Sequence, residues 1–172
     1  MEPKRVIAAY FSGTGTTKKT VLRIARELAA HFAVPVKDAS FTLPRERQEA
    51  LPCTSEDLVV VVVGVPTYAG RVPNLLLPYL REKLIGGGAL AVPVVLFGNR
   101  NYDDSLKELR NILEEDGFCT VAAAAFVGEH SFSTTLGAGR PHAADLAQMD
   151  EFARRTAQKI RGLTASAPAA RP

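Results

Sequence analysis

Short apolar runs without polar alternation recur along the chain and predict buried β-strands. The strongest reads "DLVVVVVGVP" over residues 57–66, and its consecutive valines indicate a strand that is covered on both faces. Similar runs lie at residues 6–10, 92–99 and 119–128, and a weaker one spans residues 34–40. A strand buried on both faces is typical of a parallel sheet with helices packed on each side.

Amphipathic segments lie between these runs, with hydrophobic residues spaced three and four positions apart. They predict helices from Val21 to Phe32, over residues 74–85 and 103–117, and from about Ala143 onward. Residues 41–56 are polar and contain prolines, so they are predicted to be mostly loop. The alternation of strands and helices predicts an α/β domain with a parallel sheet and right-handed crossovers.

The alternating pattern extends over residues 1–162, which predicts one domain within the 172-residue chain. Residues 163–172 include "TASAPAARP" and are expected to form a disordered tail. Cys53 and Cys119 lie far apart, and no C-x-x-C pair is present. This spacing does not predict a disulfide framework, a zinc site or an iron–sulfur cluster.

The first loop, "SGTGTT" at residues 12–17, combines glycines and hydroxyl residues directly after an apolar strand. Backbone N–H groups and short hydroxyls at the start of a helix suit a phosphate group, and the helix dipole favours its negative charge. The loop does not have the Walker A spacing. Lys18 occupies the place of the third glycine of G-x-G-x-x-G, so both nucleotide fingerprints are absent.

This loop resembles the [ST]-x-T-G-x-T phosphate loop of flavodoxins, and two later segments support the resemblance. "GVPTYAGRVP" (64–73) and "FGNRNYDDSL" (97–106) are similar to the two flavodoxin loops that flank the flavin ring. The resemblance implies a flavodoxin-like, doubly wound, five-stranded parallel sheet in the order 2-1-3-4-5, with helices on both faces. The cofactor-binding residues that it implies are Ser12, Gly13, Thr14, Gly15, Thr16, Thr17, Pro66, Thr67, Tyr68, Ala69, Gly70, Arg71, Gly98, Asn99, Arg100, Tyr102 and Asp103.

The strongest likeness is to the flavodoxin half of proteins that join a flavodoxin domain to a ferredoxin domain. "GRVP" (70–73) and "AGRP" (138–141) carry this likeness. The chain has no cysteine cluster, so the iron–sulfur function of such proteins is not expected here.

By resemblance, the implied cofactor is FMN, bound non-covalently, with Tyr68 and Tyr102 as ring-stacking residues. Tyr10 and Tyr79 are assigned to the core. The implied function is electron transfer between a reductase and an acceptor, with the cofactor carrying the electrons. Two alternatives are an FMN-dependent NAD(P)H:quinone-type oxidoreductase and a flavin-free binding module. His130, in the polar loop 128–141, is a candidate residue on the substrate side.

The formal net charge is +3, and the basic residues are dispersed along the sequence. This distribution does not predict nucleic-acid binding. No apolar run reaches the ~18 residues of a membrane span, and no signal peptide is recognisable, so a cytoplasmic protein without membrane insertion is expected. The oligomeric state does not follow from these patterns.

Overall fold

The computed structural model describes residues 1–53, 56–129, 135 and 137–166. The strands in these residues are β1 (Arg5–Tyr10), β2 (Val36–Ser40), β3 (Leu51–Pro52), β4 (Val59–Pro66), β5 (Leu84–Ile85), β6 (Leu90–Phe97), β7 (Cys119–Thr120) and β8 (Ala124–Val127). The α-helices are α1 (Thr16–Phe32), α2 (Leu77–Glu82), α3 (Ser105–Glu115) and α4 (Ala143–Ser166). Short 3-10 helices precede β3 at Pro44–Arg47 and α2 at Asn74–Leu76.

The main sheet is parallel and has the order β2-β1-β4-β6, with β7 and β8 both paired to the far side of β6. β7 and β8 together occupy the fifth strand position, which confirms the predicted order 2-1-3-4-5. Because the strands are parallel, the loops that follow β1, β4, β6 and β8 leave the same edge of the sheet. Ligands of such sheets bind at this edge, where the winding direction reverses.

Helices cover both faces of the sheet, as predicted. One face packs against α1 and α4, and alternate residues of β1, β4 and β6 contribute to this layer of core. The other face packs against α2 and α3, and it contains the remaining valines of β4 together with Tyr79. Tyr10 and Tyr79 are buried, as expected from the sequence.

Gly64 allows α1 to approach the central strand closely. A Cβ atom at this position would stand 2.1 Å from Cγ2 of Val21, far inside van der Waals contact. The other residues of β4 before Pro66 are buried valines, so Gly64 is a local gap in a bulky surface. The space at Gly64 lets the first turns of α1 pack directly on the sheet, next to the loop at residues 12–15.

Three segments differ from the sequence-based prediction. The predicted helix over residues 74–85 is shorter in the structure. The 3-10 helix takes its first residues, Pro78 lies in the first turn of α2, and Leu84–Ile85 forms β5 at its end. β5 pairs in parallel with β3, inside the segment 41–56 that was predicted to be mostly loop. The fifth strand is interrupted at residues 121–123, which separate β7 from β8.

The two cysteines have different environments. Cys53 follows β3 and is buried against the second layer of core, and burial raises the pKa of its thiol to about 11. Cys119 lies on β7 and is exposed. Both thiols are free.

α4 continues to Ser166, past the predicted domain boundary at residue 162. The rest of the predicted tail, residues 167–172, lies outside the described residues, as does His130. Among the helices in the described part of the chain, none combines the length and apolar composition needed to cross a bilayer.

Candidate functional site

A cavity of about 520 Å³ lies at the carboxyl edge of the sheet, within the size range of small-molecule sites. The loops that follow four strands contribute to its wall. The lining residues are Thr14, Thr16, Thr17, Pro66, Thr67, Tyr68, Ala69, Leu96, Phe97, Gly98, Arg100, Gly128 and Glu129. A larger groove, of about 740 Å³, lies between residues 121–123 and α4, away from this edge.

The loop between β1 and α1 is held by the side chain of Ser12. Its Oγ accepts hydrogen bonds from the N–H groups of Gly15, at 3.1 Å, and Lys18, at 3.0 Å. The Ser12 N–H donates in turn to Oγ1 of Thr42, which follows β2. Gly15 precedes the helix with a φ of 94°, a left-handed conformation that favours glycine. These contacts bend the chain sharply from the strand into α1.

Four N–H groups in this loop have no acceptor among the described residues, those of Gly13, Thr14, Thr16 and Thr17. Three of these residues, Thr14, Thr16 and Thr17, line the cavity, and Thr16 is the first residue of α1. Unpaired N–H groups at a helix N-terminus attract anions, because they can donate hydrogen bonds and because the helix dipole is positive there. The donor set therefore fits a phosphate group.

The second loop, after β4, contains a tight turn at Ala69 and Gly70. The N–H of Tyr68 donates to the carbonyl of Arg71 at 2.9 Å, and the N–H of Arg71 donates to the carbonyl of Tyr68 at 3.0 Å. The φ angles of Ala69 and Gly70 are 49° and 74°, which correspond to a type I′ turn. A left-handed alanine costs about 1–2 kcal/mol, so this turn is strained at Ala69.

A short hydrogen-bond chain ties the second loop to the third. Oγ1 of Thr67 lies 2.8 Å from Oγ of Ser105, and the Ser105 hydroxyl donates to the carbonyl of Tyr102 at 2.7 Å. Gly70 also packs tightly on Asp103, since a Cβ at Gly70 would stand 2.4 Å from Oδ2 of Asp103. The Thr67 hydroxyl is thus engaged in positioning the two loops.

The two candidate stacking residues, Tyr68 and Tyr102, are partly exposed, at 44% and 37%. Tyr68 lines the cavity, and its hydroxyl would lie 3.8 Å from a Cβ placed on Gly13, so the ring extends toward the loop between β1 and α1. Tyr102 packs on Phe97 with ring centroids 5.2 Å apart and an interplanar angle of 58°. Phe97 lines the cavity and Tyr102 does not, so Tyr102 supports the cavity wall through its contact with Phe97.

Two charged residues line the cavity, Arg100 and Glu129. Oε1 of Glu129 accepts a hydrogen bond from the N–H of Gly139 at 3.1 Å. Arg100 forms no ion pair within the described residues. Arg71 does not line the cavity, because its guanidinium donates to both carboxylate oxygens of Glu108, each at 2.9 Å. This pairing lowers the pKa of Glu108, against the opposing effect of partial burial.

The structure brings nine of the seventeen predicted residues to the cavity wall: Thr14, Thr16, Thr17, Pro66, Thr67, Tyr68, Ala69, Gly98 and Arg100. The other eight lie in the same three loops but outside the wall: Ser12, Gly13, Gly15, Gly70, Arg71, Asn99, Tyr102 and Asp103. The sequence-based assignment omitted Leu96, Phe97, Gly128 and Glu129. Their position at the end of a predicted strand was the available signal, since cavities of this fold lie there.

No protein-family profile and no curated protein sequence matches this chain. Solved structures do match it. A flavodoxin from the domain Archaea has a TM-score of 0.64 and 17% identity, over 91% of this chain and 99% of its own. The Streptococcus pneumonia TIGR4 flavodoxin has a TM-score of 0.63 and 14% identity, over 90% and 99% of the two chains. The apo form of an NADH:FMN oxidoreductase has a TM-score of 0.62 and 15% identity, over 90% and 89%.

At these identities the likeness establishes the fold. The chain has a flavodoxin-like fold, with the parallel sheet and the loop-lined edge that the sequence predicted. The finer likeness to the flavodoxin half of flavodoxin–ferredoxin fusion proteins stays a prediction.

Proposed function

We propose that this protein binds FMN non-covalently in the cavity and carries electrons between a reductase and an acceptor. The observation that carries the proposal is a set of three N–H groups at the start of α1, from Thr14, Thr16 and Thr17, that line the cavity and have no acceptor in the part of the chain that the structure describes. They stand at one end of a cavity that is flanked by aromatic residues. The fold of the structurally similar flavodoxins supports the same assignment.

In this proposal the first loop holds the 5′-phosphate without a cationic side chain. The N–H groups of Thr14, Thr16 and Thr17 donate to the phosphate oxygens, and the positive end of α1 favours the charge. Ser12 keeps the loop in shape through Gly15 and Lys18. The loop thus meets the ligand already folded, which reduces the entropy lost on binding.

The second and third loops are the proposed walls for the flat ring system. Tyr68 and Ala69 provide one wall, and Phe97, Gly98 and Arg100 provide the other. The hydrogen-bond chain from Thr67 through Ser105 fixes the spacing between these loops. FMN supplies one- and two-electron transfer when bound, and the protein binds, orients and shields it.

The test compares FMN with riboflavin, which lacks the phosphate. Several charged hydrogen bonds at about 1.5–3 kcal/mol each predict that riboflavin binds at least about 10²-fold more weakly. Flavin fluorescence is quenched or shifted on binding and gives both dissociation constants. Equal affinity for the two flavins would show that the loop does not hold a phosphate.

A matched pair of variants sharpens this test. Thr17→Val removes a hydroxyl at the cavity wall, so it should weaken FMN more than riboflavin. Thr20→Val removes a hydroxyl one turn further along α1, where it is buried and has no hydrogen-bond partner among the residues that the structure describes. The second variant should leave the ratio of the two affinities unchanged.

A second candidate is an FMN-dependent NAD(P)H oxidoreductase of the quinone-reductase type. The likeness to an NADH:FMN oxidoreductase supports it. Stopped-flow mixing of the FMN-loaded protein with NADPH separates the two functions, because an electron carrier keeps its yellow colour when no reductase is present. A protein that binds neither flavin would instead be a flavin-free binding module.

A further inference from the structure

A second groove, of about 460 Å³, lies on the outer face of α1 and begins at the phosphate loop. Four cationic side chains line it: Lys18, Lys19, Arg23 and Arg26. Leu22 and Leu146 give it an apolar component. These α1 residues are three or four positions apart, so they form one continuous stripe along the helix.

The charge of this stripe is mostly uncompensated. Arg23 is paired with Asp150 through two hydrogen bonds, of 2.7 Å and 2.6 Å. Lys18, Lys19 and Arg26 are exposed and form no ion pair within the described residues. The one acidic side chain in the lining is Glu27. The positive end of the α1 dipole adds to the same potential.

We propose that this basic groove is the docking surface for an acidic redox protein that exchanges electrons with the bound flavin. The proposal rests on the proposed FMN-dependent function. A mixed lining of cations and leucines fits a protein surface that presents carboxylates around an apolar centre. The positive charge of the groove attracts an acidic partner and repels a basic one.

The position of the groove makes electron exchange with a docked partner feasible. Gly15 lines the groove, while its chain neighbours Thr14 and Thr16 line the cavity. A stable interface covers about 800 Å² on each partner, which is much wider than a single loop. A protein seated on the groove therefore also reaches the mouth of the cavity. Asp103 and Asp104 lie in the third loop, after β6, which is two positions from β1 in the sheet. These two acidic residues are therefore not part of the groove.

The test uses a reduced, acidic [2Fe–2S] ferredoxin as the probe and the FMN-loaded protein as the electron acceptor. One electron leaves the iron–sulfur cluster, which is oxidised, and enters the flavin, which is reduced. Stopped-flow absorbance gives the second-order rate constant. Electrostatic steering predicts that this constant falls about tenfold or more between about 20 mM and about 500 mM salt. Binding of basic cytochrome c to the same FMN-loaded protein should not weaken over this salt range, because the two surfaces carry charge of the same sign.

Charge-reversal variants locate the surface. Lys18→Glu combined with Lys19→Glu should slow reduction by the ferredoxin about tenfold at low salt and abolish most of its salt dependence. Arg155→Glu combined with Lys159→Glu is the matched control, because these two exposed cations lie on α4 and line the other groove. It should change the rate much less. Equal slowing by both variants, or a rate independent of salt, would overturn the proposal.

A binding measurement separates this proposal from the proposed function. Fluorescence anisotropy of a dye-labelled ferredoxin, titrated with the protein, reports docking whether or not FMN is present. If FMN does not bind but the ferredoxin docks in a Lys18-dependent way, the proposed function fails and the docking surface stands. If free NADPH loses affinity in the double variant and the ferredoxin does not, the groove binds a small phosphate ligand and the docking proposal is wrong.

Discussion

Arg71 and Glu108 form an ion pair through two hydrogen bonds of 2.9 Å, which holds the Arg71 guanidinium outside the cavity. Glu108 is further fixed because its Oε2 accepts the N–H of Val72 at 2.9 Å. The resemblance to flavodoxins placed two arginines, Arg71 and Arg100, in the flavin loops. The structure separates them, since Arg100 lines the cavity and Arg71 does not.

This separation predicts that Arg100, and not Arg71, raises the more negative of the two one-electron potentials of bound FMN. A cation about 6 Å from the ring favours the reduced anion by roughly 3 kcal/mol at an effective dielectric constant near 20. For one electron this corresponds to a shift on the order of 100 mV, reduced by solvent screening. Arg100→Ala should therefore lower that potential, as measured by dithionite titration with a reference dye.

Arg71→Ala is the control for the Arg100 variant, because it removes the same charge from a neighbouring loop. We expect its potential to stay close to that of the unmodified protein. If the two variants shift the potential equally, the effect is one of net charge and Arg100 has no special position.

Tyr68→Ala and Tyr102→Ala are both predicted to weaken FMN binding by roughly one to a few kcal/mol without unfolding the domain. Both residues are partly exposed, so their loss removes little of the core. The effect of Tyr102 is transmitted through Phe97, on which its ring packs. Fluorescence titration gives the affinity, and thermal unfolding checks the fold. Tyr68→Phe, which keeps the ring, should bind FMN almost as the unmodified protein does.

Gly128→Ala is predicted to weaken FMN binding from a position that carries no side chain. A Cβ there would stand 2.7 Å from Cγ2 of Thr16, so it would push on the first residue of α1 and displace its N–H, one of the three proposed phosphate donors. Gly162→Ala is the control, since a Cβ at Gly162 meets nothing within 4 Å and α4 gains about 0.5–1 kcal/mol of helix propensity. Unchanged FMN affinity in Gly128→Ala would mean that Thr16 adjusts freely.

Asp116 provides a prediction about pH. Burial raises the pKa of its carboxyl group to about 6, and its Oδ2 is buried with no hydrogen-bond partner within the described ranges of the chain. The folded state therefore holds a proton that the unfolded state releases near pH 4, so stability decreases as the pH rises from about 4 to about 6. Asp116→Asn should lack this decrease. Urea unfolding should show that the free energy of unfolding of the variant, relative to that of the unmodified protein, increases between pH 4 and pH 7.

The control for this measurement is Glu82→Gln, which removes a charge from an exposed position on α2 that forms no ion pair within the described residues. It should show no comparable gain over the same pH range. A stability difference between Asp116→Asn and the unmodified protein that does not vary with pH would contradict the assignment of the raised pKa.

The fold was predictable from sequence because its strongest signals are local. The valines of β4 and the apolar runs of β1 and β6 are buried on both faces, and such runs are typical of parallel strands. β3 and β5 were not predictable, because two-residue strands carry no periodicity and depend on pairing between distant segments. The interruption between β7 and β8 also lacks a signal, since residues 121–123 are as apolar as a continuous strand.

The loops that form the site were predictable from the sequence, but the direction of each side chain in them was less so. Each motif marks where a strand ends, so Thr14, Thr16 and Tyr68 were found at the cavity. The direction of a side chain depends on partners elsewhere in the chain. Arg71 turns away because Glu108 lies across from it on α3, and no pattern within the second loop contains that information.

The contrast between the two cysteines gives the protein a natural site for a spectroscopic label. Cys53 is buried and its thiol has a raised pKa, so it reacts slowly with maleimides, whereas Cys119 is exposed. In the sheet, Cys119 lies beside Leu90, the first residue of β6. The cavity lies at the last residues of the same strand. The length of β6, at about 3.3 Å per residue, sets the label roughly 20 Å from the cavity. A dye at this distance would test by energy transfer whether a flavin occupies the cavity, with no engineered substitution in the chain.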